Sequence, residues 1–291
     1  MKPAPFHYLR PDTLSEAVEA LAGTPGAKVL AGGQSLVPLL SMRLAAPDAL
    51  VDVNGLDELS YVRAEEGGVR VGALARHSDV EHDTAAARVQ PLLARALRLV
   101  AHPTIRNRGT TVGSLVHADP SAELPAVLAL LGGHVTVVST RGRRMLPAGE
   151  LYVGPLETSL THDEVAVEAF FPALAPGAGT AVEEVARRHG DYALCGVAAL
   201  VETDEGRVTG VRAAYLSVAD VPTVVALGPA LVDPSGSPPV QSAYDDAADL
   251  ALGRLDPPED IHATAAYRSR LVRVLTRRAV TAAVNDAGAA A

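Results

Sequence analysis

The pattern of apolar and polar positions along this 291-residue chain predicts a protein of mixed strands and helices. Short continuous apolar runs are typical of buried strands, and apolar residues at helical spacing indicate amphipathic helices. The predicted strands cover residues 28–31, 50–53, 69–74, 135–138, 164–171, 194–202 and 208–218. The predicted helices cover residues 14–21, 36–44, 91–100, 124–131, 243–252 and 263–284, and a further one opens at residue 78.

Turn-forming and capping residues divide this pattern into parts. Thr13 and Glu16 form a capping box, in which a hydroxyl and a carboxylate satisfy free N–H groups at the start of the first helix. Residues 172–179 are rich in Pro and Gly and predict a boundary between a part of residues 1–175 and a part of residues 178–287. A turn-rich segment at 54–58 divides the first part into about 1–55 and 56–175.

One predicted strand ends at a pair of glycines, Gly32 and Gly33, followed by Gln34 and Ser35. Glycine permits positive φ and has no Cβ to hold a bulky group away from the backbone. Successive backbone N–H groups in such a turn form a concave site for an anion. A phosphate or diphosphate is therefore the expected ligand. The alternative is an ordinary turn that binds no ligand.

A second stretch of small and hydroxyl residues lies at 104–120, where Gly109 and Gly113 follow a basic Arg-Asn-Arg segment. Acidic residues come directly after it. Two such loops can hold a diphosphate from two sides, so the pair is stronger support for a nucleotide than either loop alone.

Composition excludes several classes of protein. The net charge of −9 argues against nucleic acid, which is bound by clustered Lys and Arg. The chain has no Trp and three Phe, so it lacks aromatic platforms for stacking bases. The hydrophobic fraction of 48% and the charged fraction of 20% are typical of a globular protein.

The chain has a single cysteine, Cys195. It can form no internal disulfide, which fits a reducing compartment, and it cannot hold an iron–sulfur cluster, which takes about four ligands. We see neither a signal peptide nor a run of about 20 apolar residues. We therefore expect a cytoplasmic protein that binds neither membrane nor nucleic acid.

Most catalytic motifs are missing. The sequence has no H-E-x-x-H or C-x-x-C metal motif, and His117 and Asp119, near Glu123, favour support of the second glycine loop over a metal site. A nucleophile elbow fails because Val37 stands where its last glycine belongs. The P-loop and G-x-G-x-x-G motifs are also missing. Diphosphate binding without a hydrolytic apparatus points to a redox cofactor.

The two glycine stretches also carry a family resemblance. The segments AGGQSLVPLLSMRLAAPDALVDV (31–53) and IRNRGTTVGSLVHADPSAELPAVL (105–128) resemble the FAD-binding medium subunits of molybdenum hydroxylases. That family includes the flavoprotein subunits of carbon monoxide dehydrogenase, nicotine dehydrogenase and xanthine dehydrogenase. The resemblance continues through residues 186–193 to Tyr267-Arg268 and Arg277-Arg278, so it covers nearly the whole chain.

The resemblance implies an α+β fold. Residues 1–175 would form a two-part FAD-binding domain of the vanillyl-alcohol-oxidase-like (PCMH) type. Residues 178–287 would form a smaller α+β domain with a short antiparallel sheet and helices, like the C-terminal domain of the carbon monoxide dehydrogenase flavoprotein.

The resemblance also assigns the contacts to FAD and gives no metal ligand and no dedicated catalytic side chain. The implied cofactor-binding residues are Lys28, Val29, Leu30, Ala31, Gly32, Gly33, Gln34, Ser35, Leu36, Val100, Thr110, Thr111, Val112, Gly113, Ser114, Glu123, Val165 and Tyr192. Three positions depart from the family pattern. Val112 replaces a glycine, Glu123 replaces an aspartate, and Glu184 stands where a lysine is common.

The function that the resemblance implies is electron transfer. Electrons from a molybdopterin large subunit would cross two [2Fe–2S] clusters of a small subunit, reach FAD here and pass to NAD⁺, oxygen or a quinone. The subunits would assemble as a dimer of heterotrimers. Two alternatives stay open: a free-standing FAD-dependent oxidoreductase acting on a small molecule, and a degenerate binding module without flavin.

Five arginines on the last predicted helix form a separate surface feature. They are Arg268, Arg270, Arg273, Arg277 and Arg278. A charge run of this kind is usually a solvated helix face. Docking onto an acidic partner is the alternative interpretation.

Overall fold

The computed structural model describes residues 2–232 and 240–289. The strands are β1 (His7–Leu9), β2 (Ala27–Leu30), β3 (Ala49–Asp52), β4 (Val62–Glu65), β5 (Gly68–Gly72), β6 (His134–Ser139), β7 (Gly142–Pro147), β8 (Tyr152–Gly154), β9 (Glu157–Thr158), β10 (Val165–Pro172), β11 (Gly179–Ala186), β12 (Ala193–Asp204), β13 (Arg207–Leu216) and β14 (Thr223–Ala226). The helices are α1 (Leu14–Gly23), α2 (Leu36–Met42), α3 (His77–His82), α4 (Thr84–Val89), α5 (Pro91–Leu97), α6 (Pro103–Arg106), α7 (Thr111–His117), α8 (Glu123–Leu131), α9 (Ala148–Leu151), α10 (Gly228–Leu231), α11 (Gln241–Leu252) and α12 (Ala265–Ala289).

The first layer is a three-stranded parallel sheet in the order β1–β3–β2. All four residues of the central strand β3 are buried, as is usual for a parallel sheet covered on its faces. The chain leaves the carboxyl end of β2 and enters α2 through the first glycine stretch. Ligands of open parallel sheets bind at this edge, so the topology places the stretch where a nucleotide can reach it.

The second layer is a five-stranded antiparallel sheet in the order β4–β5–β10–β6–β7. The central strand β10 pairs with β5 and β6 and carries a bulge between Ala166 and Glu168. Helices α5 and α8 supply Leu92, Leu124 and Leu128 to the same buried cluster as Phe171 of β10. These side chains are fully buried and form the main hydrophobic core.

The third layer is a four-stranded antiparallel sheet in the order β11–β12–β13–β14. Its two faces alternate along β12. Ala198 and Leu200 join the main core, whereas Val197 and Ala199 join a second core under α12. Because both faces are covered, β12 is apolar throughout its buried length. The 25-residue α12 is the longest helix, and no helix in the described ranges has the length and apolar character that a bilayer crossing requires.

The predicted α+β architecture with an antiparallel sheet and helices in the C-terminal part is confirmed. The capping box is confirmed in part. The Thr13 hydroxyl accepts the N–H of Glu16, as predicted, but the Glu16 carboxylate accepts the N–H of Asp12. The helix predicted to open at Ser78 begins one residue earlier, with the Asp79 carboxylate accepting the N–H of Arg76.

The arginine run on α12 is mainly engaged within the chain. Arg273 Nε lies 2.6 Å from Asp249 Oδ1, and Arg277 Nη1 lies 2.8 Å from Asp245 Oδ1, both acids belonging to α11. Arg268 is buried and donates to the backbone of the third sheet. Part of this arginine run therefore pairs with acidic residues of another helix in the same chain, α11.

Candidate functional site

The two glycine stretches touch each other. A methyl group placed on Gly32 would lie 2.5 Å from the carbonyl oxygen of Arg108 and 2.8 Å from Gly109 Cα. Only a residue without a side chain permits this approach. The next residue, Gly33, has a φ of +74°, which aims the turn out of β2 and into α2. The structure therefore brings together the two loops that the sequence singles out.

The second stretch is partly helical. Thr110 caps α7, and its Oγ1 accepts the N–H of Gly113 at 3.2 Å. A Cβ on Gly113 would lie 2.5 Å from that oxygen, so the cap requires glycine there. The side chains of Thr111 and Val112 are buried. The departure at Val112 is thus accommodated, because its side chain packs into the core and its backbone is helical.

A pair of side chains ties the loops together. Asn54 Nδ2 donates to the carbonyl of Ala31 at 2.9 Å and to that of Leu30 at 3.3 Å. Arg76 Nη2 donates to Asn54 Oδ1 at 2.9 Å, and its Nη1 donates to the carbonyl of Arg108 at 2.8 Å. Arg76 therefore reaches the second loop directly and the first loop through Asn54.

A cavity of about 390 Å³ opens beside this contact. Its lining residues are Leu30, Ala31, Gly32, Gly33, Gln34, Val37, Pro38, Asp52, Asn54 and Arg108. Arg108 is exposed and supplies a cation. The Asp52 carboxylate accepts hydrogen bonds from the hydroxyl of Tyr8 and from the backbone and side-chain N–H groups of Asn54. The cavity thus offers bare backbone and one arginine, which suit an anion.

A buried acidic region follows α7. Glu123, the first residue of α8, is 8% exposed, and burial with the nearby Glu184 and Asp119 raises its pKa to about 8. Glu184 lies on β11, and burial raises its pKa to about 7. Its Oε2 is buried without a hydrogen-bond partner. No Lys or Arg within residues 2–232 and 240–289 forms an ion pair with either carboxyl.

Tyr192 lies on the loop between β11 and β12 and is 66% exposed. The loop packs against His102, since a Cβ on Gly190 would lie 2.4 Å from His102 Cε1. Partial burial and the Asp119 carboxylate raise the pKa of Tyr192. The phenol is therefore beside the same acidic region as Glu123.

Val100 is 9% exposed and is followed by Ala101, which has a positive φ of 44°. Arg106 Nη1 donates to the carbonyls of both residues, at 3.0 and 3.1 Å, and its Nε pairs with Glu81 at 2.7 Å. This buried ion pair fixes the segment.

The remaining predicted contacts differ in exposure. Lys28 is exposed, whereas Val29, Gln34, Ser35, Leu36 and Ser114 are half-buried. Val165 is 1% exposed and pairs with Val138 inside the second sheet, among the residues of the main core.

Sequence reasoning missed Asn54 and Arg76. Asn54 directly follows the buried parallel strand β3, and polar residues at the carboxyl ends of adjacent parallel strands meet at one edge. That signal was present in the sequence. The role of Arg76 had no comparable signal, because it depends on the backbone carbonyl of Arg108 and the side-chain oxygen of Asn54, both more than twenty positions away along the chain.

Two family models match this chain. They are described as "FAD binding domain in molybdopterin dehydrogenase", over residues 4–174, and "CO dehydrogenase flavoprotein C-terminal domain", over residues 180–283. The 6-hydroxypseudooxynicotine dehydrogenase complex subunit alpha of Paenarthrobacter nicotinovorans is 39% identical, over 99% of this chain and 97% of that subunit. The caffeine dehydrogenase subunit beta of Pseudomonas sp. (strain CBB1) is 38% identical, over 98% of this chain and 97% of that subunit.

The fold agrees with a solved structure. A chain of quinoline 2-oxidoreductase from Pseudomonas putida 86 superposes with a TM-score of 0.92 at 36% identity, and the match covers 99% of both chains. The present chain therefore belongs to the family of FAD-binding medium subunits of molybdenum hydroxylases. The predicted family, the cofactor FAD and the oxidoreductase class are confirmed. The contacts of single residues to FAD stay predictions.

The residues present fit a dinucleotide. The glycine loops form a cradle that side chains would fill, Arg108 lies beside it, and Glu184 Oε2 is a buried polar atom without a partner. The glycine cradle suits a diphosphate, and the acidic region that follows α7 suits hydroxyl groups, which donate to carboxylates.

Proposed function

We propose that this chain holds FAD as the electron-transfer subunit of a complex with an iron–sulfur small subunit and a molybdopterin large subunit. The observation that carries the proposal is the contact of Gly32 with residues 108–110, because it forms a cradle of bare backbone for the diphosphate. Cys195 is buried and alone, so clusters that feed electrons to FAD belong on another chain.

Each part of FAD is placed beside the residues whose chemistry suits it. The diphosphate lies against Gly33–Ser35 and Thr110–Ser114, with Arg108 balancing its charge. Glu123 accepts from hydroxyl groups of the sugar or ribityl part. Tyr192 and Val100 face the isoalloxazine ring. Lys28 is exposed and Val165 is in the core, and their contacts to FAD stay predictions.

Bound FAD supplies a redox group that takes electrons singly and releases them as a pair. The residues of this chain position it. Arg106 fixes the carbonyls of Val100 and Ala101, and the contact of Gly190 with His102 fixes the loop that carries Tyr192. The protein contributes orientation and electrostatics, and no side chain is assigned as an acid or base.

Substrate is oxidised on the large subunit, and electrons reach this chain through the [2Fe–2S] clusters of the small subunit. They leave for NAD⁺, oxygen or a quinone. The subunits form a dimer of heterotrimers in the cytoplasm. The relatives support a multi-subunit assembly, since their names describe them as subunits of dehydrogenases.

The test is a purification of the chain with its two partner subunits, followed by visible spectroscopy. We expect one FAD per chain in the wild type and its loss in Gly33→Asp, because a carboxylate would enter the diphosphate cradle. Gly206→Asp is the matched control. Gly206 has nearly the same φ, +76° against +74°, and no atom within 4 Å of an added Cβ, so it carries the same strain outside the site.

Full flavin in a folded Gly33→Asp variant would contradict the placement of the diphosphate. Iron and molybdenum should copurify with the wild type. Their absence, with flavin present, would favour the free-standing oxidoreductase, and a colourless protein would favour the degenerate module. Size-exclusion chromatography with light scattering would distinguish a dimer of heterotrimers from a single heterotrimer.

A further inference from the structure

Ser217, which directly follows β13, uses all of its polar groups to join three parts of the chain. Its N–H donates to the carbonyl of Pro120 at 2.8 Å, and its Oγ donates to the carbonyl of Ala193 at 2.6 Å. Its own carbonyl accepts from Arg268 Nη1 at 2.7 Å. Ser217 is 4% exposed, so these bonds are shielded from water. The serine therefore links the loop before α8, the start of β12 and helix α12.

The loop of residues 118–122, which joins α7 to α8, is held by backbone donors that have an unfavourable conformation. Ser217 has a φ of +63°, and Leu156, whose N–H donates to the carbonyl of Ala118 at 2.9 Å, has a φ of +59°. Ala118 itself has a φ of +54°. This conformation costs free energy in a residue with a Cβ, and it persists where the surroundings fix it, often at functional sites. Three such residues meet at this loop, which indicates that its position is under constraint.

The start of β12 lies outside the ladder that joins β12 to β13. The register of that ladder begins with the pair Gly196–Leu216, three residues after Ala193, and the ladder to β11 has a register shift at this end. The hydroxyl of Ser217 therefore holds the first carbonyl of β12 where the backbone of β13 does not. Because Tyr192 directly precedes this carbonyl's residue, the bond restrains the loop that carries the phenol.

We propose that Ser217 is a positioning residue for the flavin ring, which acts through Tyr192 by fixing the start of β12 against the loop of residues 118–122. This inference rests on the placement of Tyr192 under Proposed function. The serine sets how the phenol lies against the ring. It has no part in holding the diphosphate, because the cradle at Gly32 is formed by other residues. Loss of the hydroxyl therefore leaves FAD bound and lets the loop that carries Tyr192 shift.

The experiment measures the fluorescence and the midpoint potential of FAD bound to the full-length chain. A phenol in contact with an isoalloxazine ring quenches flavin fluorescence, so the signal reports the position of Tyr192. The loss of one hydrogen bond changes a local equilibrium about two- to tenfold. In Ser217→Ala we therefore expect the fluorescence of bound FAD to rise at least about twofold. The potential should move in the same direction as in Tyr192→Ala, and the Kd for FAD should stay within about twofold of the wild-type value.

The double variant Ser217→Ala/Tyr192→Ala tests whether the serine acts through the tyrosine. Once the phenol is gone, loss of the hydroxyl should have no further effect on the flavin, so the two changes should be non-additive. Ser217→Gly is a second variant, which lacks the hydroxyl and also relieves the positive φ. We expect it to shift the flavin signals as Ser217→Ala does, but with a higher urea midpoint than Ser217→Ala. A merely structural serine would instead give flavin signals that follow the stability of the variants.

Thr203→Ala is the matched control. Thr203 lies near the other end of β12, and its Oγ1 donates to the carbonyl of Gly177 at 2.7 Å. The variant therefore loses the same kind of bond away from the loop that carries Tyr192, and it should keep the wild-type fluorescence and potential of FAD.

The outcomes separate this inference from the proposed function. Wild-type flavin signals in the folded Ser217 variants, when Tyr192→Ala changes them, would overturn the positioning role and leave the proposed function intact. Additive effects in the double variant would do the same. Unchanged signals in Tyr192→Ala would overturn the placement of the phenol together with this inference. A wild-type chain that binds no FAD would contradict the proposed function itself.

Discussion

At the scale of single residues, Arg76 connects the two glycine loops of the site. Its guanidinium contacts the carbonyl of Arg108 and the side-chain oxygen of Asn54, and Asn54 holds the end of β2. An arginine is suited to this role because its donors diverge in a fixed plane. Loss of the guanidinium would leave the Arg108 carbonyl and Asn54 without their donors.

We therefore expect Arg76→Met to weaken FAD binding about tenfold, which is about 1.4 kcal/mol, and to lower the free energy of unfolding by about 1–3 kcal/mol. Methionine keeps much of the apolar stem, so the change tests the hydrogen bonds. FAD titration and urea unfolding measure the two effects. Arg88→Met is the control, because Arg88 is exposed and, among the described residues, its side chain bonds to a carbonyl of its own helix. Wild-type FAD affinity in Arg76→Met would show that the loops hold each other without this tie.

The sequence allowed the glycine loops to be predicted because their signal is local. Gly32, Gly33 and Gly113 lie in short stretches whose composition has a direct backbone meaning. Asn54 and Arg76 act across the fold, so their composition alone carries no such meaning. In the sequence Glu184 stands out only as a departure from the pattern that the family resemblance implies, and the burial of its Oε2 without a hydrogen-bond partner is visible only in the structure.

At the scale of elements, long patterned segments were predicted well and short or polar ones were missed. α5, α8, β12 and α12 contain apolar residues in continuous runs or at helical spacing, and these predicted the elements. β11 was not predicted, because Glu183 and Glu184 interrupt its apolar residues. The sequence predicts a loop where α7 forms, since hydroxyl and glycine residues dominate its first turns, and it does not predict β7, which opens with Gly142, Arg143 and Arg144.

Arg268 joins α12 to the third sheet. Its Nη1 donates to the carbonyls of Leu194 and Ser217, at 2.5 and 2.7 Å, and its Nη2 pairs with Asp260 at 2.7 Å. Ser217 in turn accepts this bond while its Oγ donates to the carbonyl of Ala193. One arginine thus anchors the ends of β12 and β13, next to the loop that carries Tyr192.

We expect Arg268→Met to lower the free energy of unfolding by about 3–5 kcal/mol, because it leaves buried carbonyls and Asp260 without their donor. Chemical unfolding followed by far-UV circular dichroism measures the change. Arg270→Met on the same helix is the control, and since Arg270 is exposed its effect should stay within about 0.5 kcal/mol. Equal effects of the two substitutions would rule out the anchoring role.

At the scale of the whole molecule, one hydrophobic core crosses the predicted boundary at residues 175–178. Ala198, Leu200 and Leu216 of the third sheet belong to the same cluster as the helices and strands of the first part. Arg95 of α5 also bonds Thr180 and Asp286 in the C-terminal part. The domain division stays a prediction, and these contacts make joint unfolding of the two parts the expected behaviour.

Cys195 provides a probe of whether the two parts unfold together. It is fully buried, and burial raises the pKa of its thiol to about 12, so it should react with a thiol reagent only after the C-terminal part opens. Along a urea series we expect its labelling midpoint to coincide with the midpoint of far-UV circular dichroism, as for a two-state transition. Labelling at distinctly lower urea would show that the C-terminal part unfolds independently.

The family, fold and cofactor of the molecule could be predicted because several separate motifs of the family occur in the family's order along nearly the whole chain. Substrate and electron acceptor could not be predicted. In the proposed complex the substrate is selected on another polypeptide, and nothing in the described cavities is specific to one acceptor.

The contact of Gly32 with the backbone of the second loop has a consequence for how the holoprotein matures. Contacts within the chain fix the shape of the cradle, so that shape does not depend on bound FAD. We therefore expect that the flavin-free chain folds first and that FAD binds to it afterwards.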